Sequence, residues 1–543
     1  MEDTRKLPIG IQSFEKLRNA HYLYVDKSSY VWDLIQHVNP YFLSRPRRFG
    51  KSLFLSTLKA YFLGQKELFK GLYLEQAEQV QAIQEKRQPW LQYPVLYLDF
   101  NAKNYSNVQA LYDILNAHLR EWETTFMIER QEETPDGRFN YLLKAIYETT
   151  GKRVVVLVDE YDKPLLETMH DNPELNEMYR KILKGFYGVL KSCDQYIRFA
   201  FLTGVTKFSK VSIFSDLNNL RDISIEKKCA GICGITQTEL EANFQPEIQA
   251  LAEEQNLSYD ETLAALKRYY DGYHFHPEKE GVYNPFSLLN AFAKRELGSY
   301  WFSTGTPTFL VQFLQKQTGN VREILEEAEM AESALQDYRP DMQNPIPILF
   351  QSGYLTIKAF DPEFRLYRLG FPNDEVKYGF LDNLVPVFTS IAKDASGLFI
   401  GNFVRDIRKG NIGGFMRRMY TACAGLPYSL AAKDNTKMRE RDYQIVFYIL
   451  FTLMGQFTQT EVVSARGRAD CVVHTPDTIY VFEFKLTGSG TPQSAIEQIK
   501  EKGYAEPYRK NGKKIVLIGA VFNDEIAASY DEEYEKYWEV EEL

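Results

Sequence analysis

One short segment of the sequence combines residues that can hold a nucleotide phosphate. The apolar run Tyr41-Phe42-Leu43 precedes a loop that ends in Gly50, Lys51 and Ser52 and then opens a helical pattern. In a P-loop, backbone N–H groups at a helix N-terminus cradle phosphate oxygens, the lysine reaches the β- and γ-phosphates, and the hydroxyl ligates Mg²⁺. We therefore predict an ATP site bound by Arg48, Gly50, Lys51 and Ser52.

This segment departs from the usual P-loop pattern at one position. In G-x-x-x-x-G-K-[ST] the first glycine would be residue 45, where the chain has Arg45. Gly-Lys-Ser alone is a weak signal, so a chance triplet at an ordinary helix start is the alternative. Positive charge near the phosphates could come from four arginines, Arg45, Arg47, Arg48 and Arg221.

A second segment supplies the carboxylates that a P-loop requires. The apolar strand 154–158 ends in Asp159 and Glu160, as expected for an aspartate that holds Mg²⁺ and a neighbouring glutamate that polarises the attacking water. A further strand, 197–202, ends in Thr203, where a γ-phosphate sensor would lie; a strand-end cap is the alternative. We predict ATP hydrolysis, while binding without hydrolysis stays open if Asp159 and Glu160 are structural.

Near the C-terminus, two strand-like runs flank the turn signal Pro476-Asp477. If a hairpin is centred on this turn, Asp470 pairs with Glu483. Because side chains alternate along a strand, Lys485 shares the face of Glu483. In this largely apolar hairpin unpaired carboxylates are costly, and a divalent cation is their natural partner. A cross-strand salt cluster on a solvated face is the alternative.

The spacing D-x(12)-E-x-K resembles the signature of the PD-(D/E)XK nuclease fold. The resemblance implies that Asp470 and Glu483 bind Mg²⁺. It also implies that Lys485 positions or activates the hydrolytic water and offsets the charge that develops on the phosphorus centre. These three residues, together with Glu160 for ATP hydrolysis, are the predicted catalytic residues.

Other polar residues near the hairpin are weaker candidates. Glu440 and Glu461 could each add a metal ligand, although a solvated helix face is the better explanation of either. Gln498 and Tyr504 resemble the Q-x(5)-Y element that follows the core in some nucleases of this superfamily. His474 falls on the face of Asp470 and is better explained as a hairpin-end residue than as a base.

Two changes of pattern divide the chain into the elements that must position these residues. From about 40 to 235, β-branched apolar runs alternate with helices, which is typical of a parallel sheet covered on both faces. Amphipathic helices dominate from 236 to about 395, with a few strands near 354–369. After about 396 the order is helix, hairpin, helix and strand, followed by an acidic tail. We predict domains at 1–235, 236–395 and 396–543.

Motifs along nearly the whole chain resemble the bacterial AAA-ATPase-like proteins that carry a C-terminal PD-(D/E)XK nuclease domain. These motifs are Tyr24-Val25-Asp26-Lys27, 45–52, 158–162, 203–215, 270–273 and Tyr283-Asn284-Pro285. In that family R-P-R-R-F-G-K-S is the usual P-loop form, so Arg45 is no sign of decay. The resemblance implies an α/β fold with an AAA/ASCE-type parallel-sheet domain, a mostly helical middle and a nuclease-like α/β domain.

The charge is unevenly distributed along the chain. The net charge is −9, yet residues 396–523 contain 18 Lys and Arg against 11 Asp and Glu, and residues 524–543 contain one Lys against nine Asp and Glu. A phosphate-binding groove in the nuclease-like region is therefore compatible with the acidic total. We predict nucleic acid as a partner, with DNA favoured over RNA.

Cysteine content and hydropathy indicate the compartment. Five scattered cysteines are too few for a disulfide framework, which suggests a reducing environment. The longest apolar run, 443–454, is shorter than the roughly 20 residues that a membrane span needs. We predict a cytoplasmic protein with no membrane partner, and a homo-oligomer is left open.

Two functions of different class are consistent with these residues. The first is an enzyme that binds and hydrolyses Mg-ATP and cuts phosphodiesters with Mg²⁺. The alternative is a nucleotide-controlled switch or assembly protein whose nuclease fold binds nucleic acid without cutting it. Intact Asp470, Glu483 and Lys485 favour the first.

Overall fold

The chain divides into two compact units. Unit 1 comprises residues 1–304 and 325–375, and unit 2 comprises residues 305–324 and 376–543. The structure, a computed structural model, describes residues 5–37, 39–102, 104–169, 172–207, 214, 217, 219–302, 321–326, 328–336, 344–389, 391–423, 436–462, 470–486, 488–522 and 534–543. The division into three domains at 235 and 395 stays a prediction.

The described residues form α-helices of one to five turns and mostly short strands. The helices are α1 (Phe14–Asn19), α2 (Ser28–Ile35), α3 (Lys51–Phe62), α4 (Tyr73–Gln84), α5 (Val108–Thr125), α6 (Pro135–Thr150), α7 (Lys163–Thr168), α8 (Pro173–Ser192), α9 (Gln237–Asn243), α10 (Gln245–Gln255), α11 (Tyr259–Tyr270), α12 (Pro285–Lys294), α13 (Val321–Glu326), α14 (Glu332–Gln336), α15 (Ile346–Gln351), α16 (Asp374–Phe388), α17 (Ser396–Arg408), α18 (Ile412–Cys423), α19 (Thr436–Met454) and α20 (Pro492–Glu501). The strands are β1 (Tyr41–Ser44), β2 (Val95–Asp99), β3 (Val154–Asp159), β4 (Ile197–Gly204), β5 (Arg221–Asp222), β6 (Ala328–Ala331), β7 (Thr356–Asp361), β8 (Leu366–Gly370), β9 (Gln459–Val462), β10 (Cys471–His474), β11 (Thr478–Leu486), β12 (Lys514–Phe522) and β13 (Trp538–Glu542).

The main sheet of unit 1 is parallel, with the strand order β2-β3-β4-β1-β5. Its apolar runs are buried: every residue of β3 is buried, and helices α3 and α6 pack against this strand. Parallel strands end at one edge of a sheet, and ligands of open α/β folds bind outside that edge. The sheet therefore brings the ends of β1, β2, β3 and β4 together, as the α/β prediction requires.

The rest of unit 1 is mainly helical, and the prediction for this stretch is confirmed. One apolar core joins helices α9 to α12 through buried residues such as Leu240, Phe244, Leu288 and Phe292. An antiparallel sheet, ordered β6-β8-β7, adds the strands predicted near 354–369.

Unit 2 contains a mixed sheet with the order β13-β12-β11-β10-β9, in which only β11 and β12 are parallel within the described residues. Cys471 pairs with Phe482 in the β10–β11 hairpin, which confirms the predicted register. One face of the hairpin packs Val472 and Val481 against α20. On the other face, the Phe482 ring packs at a tilt against Phe451 of α19, with 5.3 Å between ring centroids. Helices thus cover both faces of the hairpin.

Three local features of unit 2 differ from the sequence expectations. The helix expected over 493–509 ends at Glu501, because Gly503 takes a φ of 67° that ends a helical path. Strand β9 was not expected. The acidic tail was expected to follow the last strand, yet its residues 538–542 form β13, in which Val540 pairs with Ile518 at the sheet edge.

Among the described residues, none of the helices combines the length and apolar character that crossing a lipid bilayer demands.

Candidate functional site

The P-loop backbone follows a path that few residues adopt. Helix α3 begins at Lys51, directly after Gly50, whose φ of 96° lies in the left-handed region. Only glycine takes such a φ without strain, so Gly50 is required by the turn. Arg48 takes a φ of 68°, which is a strained conformation for a residue with a side chain. The loop is thus held in a shape that its sequence alone would not favour.

That shape leaves a run of backbone donors without acceptors. No backbone N–H from Arg47 to Gly50 donates a hydrogen bond within the described part of the chain, and the first turn of α3 adds further N–H groups with no intrahelical partner. Consecutive free N–H groups at a helix N-terminus form an anion site. The loop therefore presents a cradle for phosphate oxygens.

Lys51 lies inside this loop. Its side chain is buried, and its ammonium donates to the carbonyl oxygens of Arg45 (3.1 Å) and Pro46 (3.2 Å). Lys51 Nζ is also 3.6 Å from Glu160 Oε1. Glu160 has a φ of 52°, which turns the chain sharply after β3. The lysine and the glutamate predicted to act on ATP are therefore adjacent.

Asp159 is a buried carboxylate with one oxygen unpartnered. Its Oδ2 accepts a hydrogen bond from the Tyr97 hydroxyl (3.2 Å), and its Oδ1 has no hydrogen-bond partner among the described residues. Burial and the nearby Glu160 charge raise the pKa of Asp159 to about 6, while Ser52 and Lys51 act in the opposite direction. A buried orphan oxygen is costly. Ser52 and Asp159 therefore fit Mg²⁺, an oxygen-seeking cation.

A cavity of about 730 Å³ opens over the P-loop within unit 1. Its lining includes charged groups, among them Arg47, Arg48 and Glu160, and apolar groups such as Val25 and Phe286. The two kinds lie side by side, because the Arg48 guanidinium is 4.9 Å from the centroid of the Phe286 ring. Small-ligand sites typically occupy 300–1,000 Å³ with this mixture of lining. The cavity has the size and polarity for a ligand with both anionic and apolar groups.

Arg45, which replaces the usual first glycine, faces away from the cavity into the core. It is 1% exposed and donates to the backbone carbonyls of Ser44, Ser224 and Cys229. Its guanidinium lies 3.8 Å from the centroid of the Phe275 ring, and burial lowers its pKa to about 10. Arg45 therefore braces the loop, and position 45 needs no glycine because its φ is not positive.

The other arginines lie in two places. Arg47 and Arg48 line the cavity. Arg221 pairs with Glu226, and its backbone lies opposite Tyr41 at the start of β1, away from the strand ends. Only the first two are thus positioned to add charge near a phosphate.

Thr203 is the penultimate residue of β4 and lies beside the P-loop strand. Its side chain is fully buried, and its hydroxyl donates to the carbonyl of Leu43 at 3.0 Å. Thr203 is not one of the described residues that line the cavity. Its sensor role stays a prediction.

Two acidic residues near this site were missed by sequence reasoning. Asp99 ends β2, lies opposite Asp159 in register, and lines the cavity; an apolar run that ends in Asp, as in β3, was the available signal. Asp162 is fully buried and accepts hydrogen bonds from the backbone and hydroxyl of Thr206. A Cβ at Gly204 would lie 2.3 Å from Asp162 Oδ1. Asp162 therefore fixes the turn after β4, a role no local pattern reveals.

The hairpin of unit 2 brings its predicted residues together. Lys485 Nζ donates to Glu483 Oε1 (3.0 Å) and to Gln498 Oε1 (2.6 Å), and Gln498 Nε2 donates to the same Glu483 oxygen (2.5 Å). Asp470 Oδ2 accepts the backbone N–H of Phe484 (2.8 Å). Gln498, a weak candidate in the sequence, is thus part of the cluster.

Glu483 resembles Asp159 in one respect. It is 4% exposed, and its Oε2 has no hydrogen-bond partner among the described residues. Burial raises the pKa of Glu483, while Lys485 lowers it in part. The part of the chain that the structure describes holds no group of three or more His, Cys, Asp and Glu able to bind a metal. Asp470 and Glu483 are the carboxylates available to a cation here, and their role as metal ligands stays a prediction.

The remaining candidates lie elsewhere or have other partners. Glu461 is bonded to His474 Nε2 (2.9 Å) and to the Tyr508 hydroxyl (2.9 Å), near the turn end of the hairpin. Tyr504 is buried in the core beneath α20. The side chain of Glu440 lies outside the described residues.

Comparison with known proteins covers both units. Residues 8–214 match the family model for predicted AAA-ATPases, and residues 438–532 match the model for the PD-(D/E)XK nuclease superfamily. The "Uncharacterized protein in vnfD 5′ region" of Azotobacter chroococcum mcd 1 is 36% identical over 529 residues, or 96% of each chain. The solved ORC2 protein of Aeropyrum pernix, in ADPNP–ADP complexes, covers 70% of this chain and 97% of that chain at 9% identity. Its TM-score of 0.17 is too low to support any conclusion.

Proposed function

The chain belongs to the family of predicted AAA-ATPases with a C-terminal PD-(D/E)XK nuclease superfamily domain, and we propose that both units are enzymes. Unit 1 binds and hydrolyses Mg-ATP, and unit 2 cleaves nucleic-acid phosphodiesters with Mg²⁺. One observation carries this proposal. Each site holds a buried carboxylate with an unpartnered oxygen, Asp159 Oδ1 or Glu483 Oε2, within a cluster that contains a lysine. Such an oxygen is stabilised when a divalent cation binds.

In unit 1 the ATP phosphates occupy the loop of free N–H groups, and the base contacts apolar lining of the cavity such as Val25. Ser52 and Asp159 hold Mg²⁺, which when bound neutralises charge on the phosphate oxygens. The phosphates compete with Glu160 for Lys51, because Lys51 lies 3.6 Å from that carboxylate. Glu160 is then free to accept a hydrogen bond from the attacking water, the role of a general base.

In unit 2 Asp470 and Glu483 hold Mg²⁺, which when bound lowers the pKa of a water and stabilises phosphate charge. Lys485 supplies positive charge beside the scissile phosphate. Gln498 bonds both Glu483 and Lys485 and so fixes the distance between the carboxylate and the ammonium. The excess of Lys and Arg in residues 396–523 supports a polyanionic substrate, with DNA proposed ahead of RNA.

One observation favours a second function, a nucleotide-controlled switch whose nuclease fold binds nucleic acid without cutting. Glu483 Oε1 already accepts hydrogen bonds from both Lys485 and Gln498. Within the described residues the acidic site has two carboxylates and no third ligand of its kind. A site of this composition can contact a phosphate through Lys485 and still bind a catalytic cation weakly.

A cleavage assay separates the two functions. Full-length protein is incubated with single- and double-stranded DNA and RNA, with Mg²⁺ or Mn²⁺, and with or without ATP. The nuclease proposal expects cleavage by the wild type and by Glu461→Gln, whose carboxylate lies on the same sheet outside the site, and none by Glu483→Gln. Binding without cleavage under every condition would support the switch instead.

A further inference from the structure

A tryptophan far along the chain contacts the P-loop backbone. The indole Nε1 of Trp301 donates to the carbonyl oxygen of Arg47 at 3.1 Å. Trp301 is 5% exposed, and its ring packs on Phe302 and Tyr354 at 5.5 and 5.1 Å between centroids. Burial and ring packing therefore restrict the rotation of this side chain and hold the indole N–H in place.

The contact constrains the orientation of one peptide unit. In a planar trans peptide the C=O of Arg47 and the N–H of Arg48 point in opposite directions. Trp301 holds the carbonyl, so the N–H of Arg48 is turned to the opposite side. Arg48 lines the cavity and makes no backbone hydrogen bond with its N–H among the described residues. The N–H is thus available to a phosphate oxygen.

The strain at Arg48 makes such a constraint necessary. A φ of 68° costs a non-glycine residue of order 1 kcal/mol or more, and it persists only where the surroundings enforce it. Rotation of the 47–48 peptide would relieve the strain and would turn the N–H away from the cavity. Trp301 opposes that rotation, because rotation breaks its hydrogen bond.

A buried glutamate fixes the segment that carries the tryptophan. Glu375 Oε1 accepts the backbone N–H groups of Tyr300 (2.6 Å) and Trp301 (2.7 Å), and Glu375 is 3% exposed. Burial raises the pKa of Glu375 to about 7, and its Oε1 can accept both N–H groups whether the carboxyl group is charged or neutral. Glu375 therefore holds the Trp301 backbone while the indole holds the P-loop.

We infer that Trp301, anchored by Glu375, is a positioning residue for nucleotide phosphates, which keeps the Arg48 N–H turned into the cavity. This inference rests on the proposed function, since it requires a nucleotide at the P-loop. It makes affinity for phosphates depend on residues about 250 and 325 positions away from the loop. Neither Trp301 nor Glu375 belongs to the Gly-Lys-Ser motif.

Calorimetry on the full-length protein with ATP, ADP and adenosine tests the inference. Trp301→Phe removes the donor and keeps an aromatic ring. We expect Kd for ATP and ADP to rise about three- to tenfold, the effect of one hydrogen bond, with Kd for adenosine unchanged because adenosine has no phosphate. Trp90→Phe is the matched control: Trp90 is 8% exposed, does not line the cavity, and its Nε1 has no partner in the described structure.

A second pair of variants, at Glu375, is a control for loss of folding. Glu375→Gln keeps an oxygen acceptor and is expected to bind ATP within twofold of the wild type, whereas Glu375→Leu is expected to weaken ATP and ADP like Trp301→Phe. Wild-type affinity for ATP in Trp301→Phe and Glu375→Leu would overturn the inference, and so would equal weakening of adenosine. A wild type that binds none of the three ligands refutes the proposed function as well, so the two failures are distinguishable.

Discussion

The two sites use the same kinds of side chain in different settings. In unit 1, Lys51 is held by two backbone carbonyls of its own loop, and the free groups that face a ligand are mostly backbone N–H donors. In unit 2, Lys485 is held by the side chains of Glu483 and Gln498 on a sheet face and a neighbouring helix. The first site is built largely from backbone, and the second is built from side chains.

This difference determines which substitutions each site tolerates. A backbone cradle keeps its N–H donors when a side chain is changed, so loss of one residue removes part of the binding energy. A side-chain cluster has no backbone groups that remain after a substitution, because each residue either binds the cation, supplies charge, or positions a residue that does so. We therefore expect single substitutions to reduce function more in unit 2 than in unit 1.

The largest effect is expected from Glu483→Gln. The change keeps the volume of the side chain and removes one of the two negative charges, on Asp470 and Glu483, that bind the divalent cation. Cleavage should therefore fall about 10³-fold or more. A plasmid or oligonucleotide cleavage assay measures the rate, and ATP affinity should not change. Residual cleavage near the wild-type rate would show that unit 2 does not depend on its carboxylate pair.

Glu160→Gln should separate ATP binding from ATP hydrolysis. The amide cannot accept a proton from water, so the hydrolysis rate should fall about 10²-fold. Affinity should stay equal or increase, because the carboxylate that competes for Lys51 is gone. Phosphate release and equilibrium binding are measured on the same preparation. If hydrolysis is absent in the wild type as well, the protein binds ATP without consuming it.

Lys51→Ala should weaken ATP binding by about 30-fold, the loss of one charged contact to phosphate while the backbone cradle remains. Lys66→Ala, at an exposed position just after α3, is the control for the loss of a surface lysine. Fluorescence titration with a labelled nucleotide measures both. Complete loss of binding in Lys51→Ala would mean that the cradle contributes little, contrary to the comparison of the two sites.

Two glycines behind the sites provide the smallest expected effects. A Cβ added at Gly204 would lie 2.3 Å from Asp162 Oδ1, and a Cβ added at Gly519 would lie 2.2 Å from the carbonyl oxygen of Pro492. Either alanine should destabilise its unit by about 1–3 kcal/mol through overpacking, as thermal unfolding would show. Gly519→Ala should also slow cleavage, since it displaces the start of the helix that carries Gln498.

The matched control for both is Gly188→Ala, in the interior of α8 with nothing within 4 Å of the added Cβ. Alanine there should stabilise the chain by up to about 1 kcal/mol, because it lowers the entropy of the unfolded state. Unchanged stability in Gly204→Ala and Gly519→Ala would mean that the backbone near the sites yields more easily than these contacts imply.

Local patterns sufficed for the main elements of both sites. Turn chemistry at Pro476-Asp477 and alternation at period two placed Asp470 opposite Glu483, and the structure has that register. The apolar strand that ends in Asp159 and the loop before Lys51 were recognised for the same reason. In each case the relevant interactions act between neighbours in sequence or between two adjacent strands.

Tertiary structure alone decided what each site residue contacts. Arg45 was a candidate for phosphate charge and is instead a buried brace, because backbone carbonyls of residues 224 and 229 converge on its guanidinium. Trp301 and Glu375 had no sequence signal at all. Hydrogen bonds and packing between segments hundreds of residues apart depend on how the chain folds back on itself, and no pattern within a window of sequence records that.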